Sequence, residues 1–149
     1  MTGSSGRVRF PPGRSSAGQP IAADAEGVPF ALNARTDAFL RGRDRQLDVN
    51  IADAIERGRA YLDAGATSVF VPGIFGEEVV AQLVAGIGEL KVTLIGLPGV
   101  PAPARLQELG VARVSYGPTT QRVALGALQD LATSLYDGGV LPEGIRPLN

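Results

Sequence analysis

The chain has 149 residues, 44% of them hydrophobic and 19% charged, which fits one domain able to bury a core. Fourteen basic residues stand against fifteen acidic ones, a formal net charge of −1, so nucleic acid and anionic membranes are excluded as electrostatic partners. Cysteine and histidine are both absent, which removes disulfides, thiolate nucleophiles, imidazole bases and the usual zinc ligands together.

No apolar run approaches the roughly 20 residues that a membrane span needs, and Met1 to Arg14 lacks the apolar stretch of a signal peptide. The expected location is the cytoplasm. Met1 to Pro20 mixes Gly3, Gly6, Pro11, Pro12, Gly13, Gly18 and Pro20 with serines and arginines, a composition that breaks helical and strand periodicity alike. It reads as a disordered or extended arm, residues 1–20. Beyond it, residues 21–149 alternate short apolar runs with stretches of helical period, the signal of βα units and a parallel sheet.

A first strand is predicted over Pro29 to Ala34, ending in the polar cluster Asn33, Arg35, Thr36 and Asp37, with a loop from Phe39 to Leu47. From Asp48, the residues Ile51, Ala54, Ile55, Gly58, Tyr61 and Leu62 recur at three- and four-residue spacing, which makes one apolar helix face. Gly65 suits the left-handed position that ends such a helix. A second strand, Ser68 to Val71, stops at Pro72-Gly73, and a second helix from about Gly76 to Ile87 turns Val80, Leu83, Val84 and Ile87 inward.

The third strand is Val92 to Leu97, and the loop Pro98 to Pro103 leads to a short helix around Leu106 and Leu109 that Gly110 closes. The fourth strand, Arg113 to Tyr116, meets Gly117-Pro118, after which Thr119 or Thr120 can cap a last helix lined by Ala124, Ala127, Leu128, Leu131 and Leu135. AGATSVFVPG (Ala64 to Gly73) and LGVARVSYGP (Leu109 to Pro118) share one pattern of helix end, glycine, strand and Gly/Pro turn. Four such units make half of an eight-unit barrel, which needs about 250 residues when complete.

NARTDA, Asn33 to Ala38, resembles a hallmark of the isocitrate lyase/phosphoenolpyruvate mutase family. AIERGRAYLDAGATSVFVPG (Ala54 to Gly73) is similar to that family's next helix and sixth strand, and LQELGVARVSYGP (Leu106 to Pro118) to its eighth strand with the preceding helix. The resemblance runs from about Ile21 to Asp137. It implies an α/β fold that is a partial TIM (β/α)8 barrel, strands 5–8. The implied chemistry is an Mg-dependent lyase or mutase acting on C–C or P–C bonds of small 2-oxo acids or their adducts, of methylisocitrate, oxaloacetate or phosphonopyruvate type.

By the same resemblance Arg35 contacts the substrate's carboxylate or phosphonate. A guanidinium suits that task, since it is planar, bidentate and permanently charged, and the end of a barrel strand is where such sites lie. Taken by itself, Arg35 reads rather as one half of a structural ion pair with Asp37 or with a neighbouring unit's carboxylate, and only the whole motif reverses that reading. Asn33 either hydrogen-bonds substrate or satisfies the barrel interior. Asp37 is expected to orient Arg35 or cap a turn rather than act as a base, and Thr36 to pack and bond backbone. Gly96, Gly99, Gly117 and the Thr119-Thr120 helix start read either as a phosphate pocket or as turn requirements, and Tyr116 as a half-buried strand residue.

In the family the acids that hold Mg²⁺, and a loop carrying a catalytic cysteine in the lyase branch, belong to the first half of the barrel. No metal ligand and no catalytic residue is therefore assigned here: Asp44, Asp48, Asp53 and Glu56 fall in a loop and a helix start, where solvation and the helix dipole account for them. RFPPGRSSAGQPIAADAEGVPF places prolines and glycines where the family runs a helix, as expected of a frame that begins or shifts inside a longer gene, with Ile21 to Glu26 as that helix's tail. The expected partners are a small 2-oxo acid or related carboxylate and, for the fold, a second copy or a chain supplying the missing half-barrel. A non-catalytic remnant or assembly module is the alternative reading.

Overall fold

Short β-branched runs separated by amphipathic helices leave little choice of architecture, and a computed structural model, which describes Gly27 and residues 31–147, shows the result. The elements are β1 (Asn33–Arg35), α1 (Ala38–Arg41), α2 (Leu47–Asp63), β2 (Ser68–Phe70), α3 (Glu77–Ile87), β3 (Val92–Ile95), α4 (Pro103–Glu108), β4 (Arg113–Ser115) and α5 (Thr119–Tyr136). The predicted arm and the helix tail over Ile21 to Glu26 lie outside the described residues. Two compact units follow one another, the first ending at Ser115 and the second starting at Tyr116.

In the first unit the four strands are all parallel and lie in sequence order, β1-β2-β3-β4, each joined to the next through helix. Side chains alternate across the sheet. One face carries Val69, Val71, Val92 and Leu94, all fully buried, against Ile51 and Ala54 of α2, Val80, Leu83, Val84 and Ile87 of α3, and Leu106 of α4. The other face carries Asn33, Arg35, Ser68, Phe70, Thr93 and Arg113, which the register sets side by side. A hydrophobic layer thus fixes the strands from behind and leaves a polar face in front.

Two glycines let α2 and α3 approach closely. A Cβ on Gly58 would meet Cδ1 and Cγ1 of Ile87 at 2.9 Å, and one on Gly86 would crowd Ile55 in the same way, so each helix seats its isoleucine in the other's glycine notch. The helix ends follow the sequence: Gly65, at φ 96°, turns the chain out of α2 where a side chain would be strained.

The differences from expectation are local. Among the described residues β1 is Asn33–Arg35, so it runs one residue past the expected Ala34 and includes the arginine. Pro29 and Phe30 of the expected strand lie outside the described residues, and α1 forms at the start of the predicted loop. In the second unit α5 spans the expected residues, yet Pro118 rather than a threonine holds the N-cap position and none of its residues is buried. The apolar period is real, but among the described residues no other helix or strand belongs to this unit, and Leu128 of α5 is 62% exposed. Among the described residues no helix is long and apolar enough to cross a membrane.

Candidate substrate-anion site at the end of β1

Asn33 and Arg35 stand two apart on β1 and therefore project from the same sheet face, the polar one. Asn33 is held by its neighbours: its Oδ1 accepts from Ser68 Oγ at 2.9 Å and from Thr93 Oγ1 at 3.2 Å, a row that crosses β1, β2 and β3. With the oxygen engaged twice, the amide NH2 is the part of Asn33 left to donate.

Arg35 donates through Nε to Asp37 Oδ1 at 2.7 Å, and its guanidinium carbon lies 5.8 Å from the centre of the Phe70 ring. The ion pair is largely exposed, with the two side chains 53% and 35% accessible, so its contribution to stability is small. Its geometric effect is larger. By engaging Nε it leaves the two terminal amino groups to receive a carboxylate or phosphonate in bidentate fashion. Asp37 stands at the N-cap of α1 without a side-chain cap bond, and its carboxylate accepts from Arg35 instead.

Thr36 is buried, its N–H donates to the Phe70 carbonyl at 3.0 Å, and its Oγ1 accepts from Ala38 N at 3.4 Å. It packs and bonds backbone, as expected. Gly99 and Gly117 adopt φ of 95° and 53°, so turn geometry accounts for both, and Tyr116 is 45% exposed.

Beside this fork lies a cavity of about 390 Å³ lined by Arg35, Asp37, Ala38, Arg41, Arg45, Arg57 and Tyr61. Asp53 serves two of its arginines, accepting from Arg57 Nε at 2.6 Å and from Arg45 Nη1 at 3.3 Å. The Asp53 bond holds Arg57 above even the ordinary guanidinium pKa, so its charge is permanent. Sequence reasoning assigned none of Arg41, Arg45 and Arg57 to a site. The i, i+4 spacing of Asp53 and Arg57 was a visible signal for one pair, but nothing in the sequence brings α1, α2 and the loop between them together.

Among the described residues no group of three or more His, Cys, Asp or Glu side chains is placed to hold a metal ion. The described residues do not fit the Mg²⁺ that the family implies.

A parallel sheet in sequence order, helices on one face and an oriented arginine at a strand's C-terminal end define an α/β protein with the organisation of part of a barrel. Residues 18–136 match the family described as phosphoenolpyruvate phosphomutase, and the chain belongs to the isocitrate lyase/phosphoenolpyruvate mutase family. It is similar to an uncharacterised protein of Mycobacterium tuberculosis, 34% identical over 114 residues that cover 76% of this chain and 42% of that one. A provisionally named 2-methylisocitrate lyase 1 of Corynebacterium glutamicum is 30% identical over 115 residues, 74% of this chain and 35% of its own. Among solved structures, a provisionally named phosphonomutase of Burkholderia cenocepacia J2315 superposes with a TM-score of 0.68 at 34% identity, covering 83% of this chain and 48% of that chain. A lyase/mutase of the same organism, also provisionally named, gives 0.67 at 35% identity, covering 80% and 42%. The chain spans less than half the length of each of these relatives.

Proposed function

We propose that this chain supplies the substrate-anion side of a lyase or mutase site acting on C–C or P–C bonds of small 2-oxo acids or their adducts, of methylisocitrate, oxaloacetate or phosphonopyruvate type. The observation that carries the reading is Arg35 at the end of β1, with Nε donating to Asp37 and its terminal amino groups left for a ligand. In this reading Arg35 binds and orients the carboxylate or phosphonate, the Asn33 amide donates to a neighbouring oxygen, and Asp37 and Thr36 support them. β1 to β4 correspond to strands 5–8 of the barrel. Mg²⁺ and its ligands belong to the first half of the family's barrel, and when bound the metal would stabilise an enolate-like charge. The other half of the barrel comes from a second copy or a partner chain.

A second reading, a non-catalytic remnant or assembly module, draws on one observation. Among the described residues β1 pairs only with β2 and β4 only with β3, which leaves two sheet edges open to association.

Binding is measured on the purified chain by NMR titration with phosphonopyruvate and with oxalate. Saturable shifts at β1 that Arg35→Ala abolishes and Arg35→Lys weakens are expected, and binding indifferent to both variants sinks the assignment of Arg35. The chain is expected to associate in light scattering and not to turn over oxaloacetate, methylisocitrate or phosphonopyruvate with Mg²⁺. Turnover by a clean preparation, lost in Arg35→Ala, overturns the remnant reading.

A further inference from the structure

We propose that the arginine-lined cavity between the end of β1, α1 and α2 is a second binding site, for a small polyanion carrying two or more phosphate or carboxylate groups. Four guanidinium groups, from Arg35, Arg41, Arg45 and Arg57, share its wall of about 390 Å³ with one carboxylate, Asp37. Asp37 is bound to Arg35, and Asp53 is divided between Arg45 and Arg57, so two carboxylates serve three arginines and Arg41 has no ion-pair partner among the described residues. Like charges converge at a folding cost unless something of opposite sign completes the set. The excess positive charge therefore points to a ligand with more than one negative group.

The geometry is set in advance of any ligand. The loop that follows Arg41 is pinned at Gly42, whose carbonyl accepts from the buried Asn50 Nδ2 at 2.8 Å and from Arg45 N at 3.0 Å. Two of the arginines are thus carried by one anchored turn, and a third is clamped to α2 through Asp53. Such fixing lowers the ordering cost of binding. The site shares Arg35 and Asp37 with the fork and adds Arg41, Arg45 and Arg57, which lie on α1, α2 and their connection and not on the sheet face with Asn33 and Thr93.

The test is calorimetric and NMR titration of the full chain with inorganic pyrophosphate and, separately, with citrate, at ionic strength held constant with chloride. Saturable binding of at least one with Kd at or below about 1 mM is expected. Pyrophosphate alone identifies a phosphate source, citrate alone a polycarboxylate source, and either supports the site. Arg41→Ala should weaken the bound anion about tenfold, the equivalent of one charge-assisted hydrogen bond. Arg43→Ala, an exposed neighbour outside the cavity wall, should leave affinity unchanged. Failure of both anions to bind, or equal losses in the two variants, overturns the proposal. The melting temperature of Arg41→Ala in chloride verifies its fold, and because no turnover is read, the result is independent of the reaction assigned to Arg35.

Discussion

Replacing Gly86 by alanine sets two effects of opposite sign against each other. Inside an exposed helix the change stabilises by about 1 kcal/mol, because alanine loses less backbone entropy than glycine. Gly86 is not in open space. A Cβ there would lie 2.6 Å from Ile55 Cγ1 and 3.0 Å from its Cγ2, with Cδ1 nearer still. Ile55 is β-branched and stiff at χ1, so it cannot swing one methyl aside and keep the others. Either the side chain leaves its rotamer or α2 and α3 separate, at a cost of about 2–3 kcal/mol for an overpacked contact. The net loss is about 1–2 kcal/mol, a fall in Tm of roughly 5 °C. Urea and thermal melting of the single variants and of the pair with Ile55→Val measure it. Ile55→Val alone costs about 1 kcal/mol, and because it removes the nearest atom, the double variant should lose about 1 kcal/mol less than the sum. Stabilisation by Gly86→Ala, or strict additivity with Ile55→Val, would show that the notch is slack and refute the reasoning.

Two further outcomes follow from the site's supports. Gly42→Ala places a Cβ 2.5 Å from the Ala38 carbonyl oxygen and closer still to Asn50 Oδ1, both anchored, so it should cost about 2–3 kcal/mol in a urea melt and abolish polyanion binding. Thr93→Val keeps the shape of a fully buried residue and removes one of the two donors on Asn33 Oδ1, which predicts a loss of about 1 kcal/mol and weaker phosphonopyruvate binding with Arg35 intact.

The order of the elements was legible because each rests on a local signal: the three- and four-residue spacing of Ile51, Ala54 and Gly58, the β-branched run at Val92, the glycine at 65. α1 was not, since four residues carry no period. Arg35 was legible as part of a motif and Asp37 as its neighbour. The anchoring of Asn33 was not, because its donors lie 35 and 60 residues away and only the strand register brings them to it. The arginine cavity was hidden for the same reason: charge in a sequence says how many cations there are, not which of them face one another. The stripe on α5 marks a helix, as its period implies, but burial of that stripe depends on a neighbour that period alone cannot supply.

What positions Arg35 is the ladder beneath it rather than the carboxylate beside it. An exposed pair such as Arg35–Asp37 is worth at most about 1 kcal/mol and rearranges easily. β1, by contrast, is tied to β2 at both ends: Thr67 N and Ser68 N donate to the Leu32 carbonyl at 2.8 and 3.3 Å, and Thr36 N donates to the Phe70 carbonyl at 3.0 Å. Those bonds hold only while β2 is held, and β2 is held by Val69 and Val71 in the apolar layer against the helices. The chain of support therefore runs from the glycine notches of α2 and α3, through the buried face of the sheet, to the direction of one guanidinium. Asp37 then selects among the orientations that this backbone permits. A site built this way tolerates loss of the ion pair better than loss of packing several residues behind it.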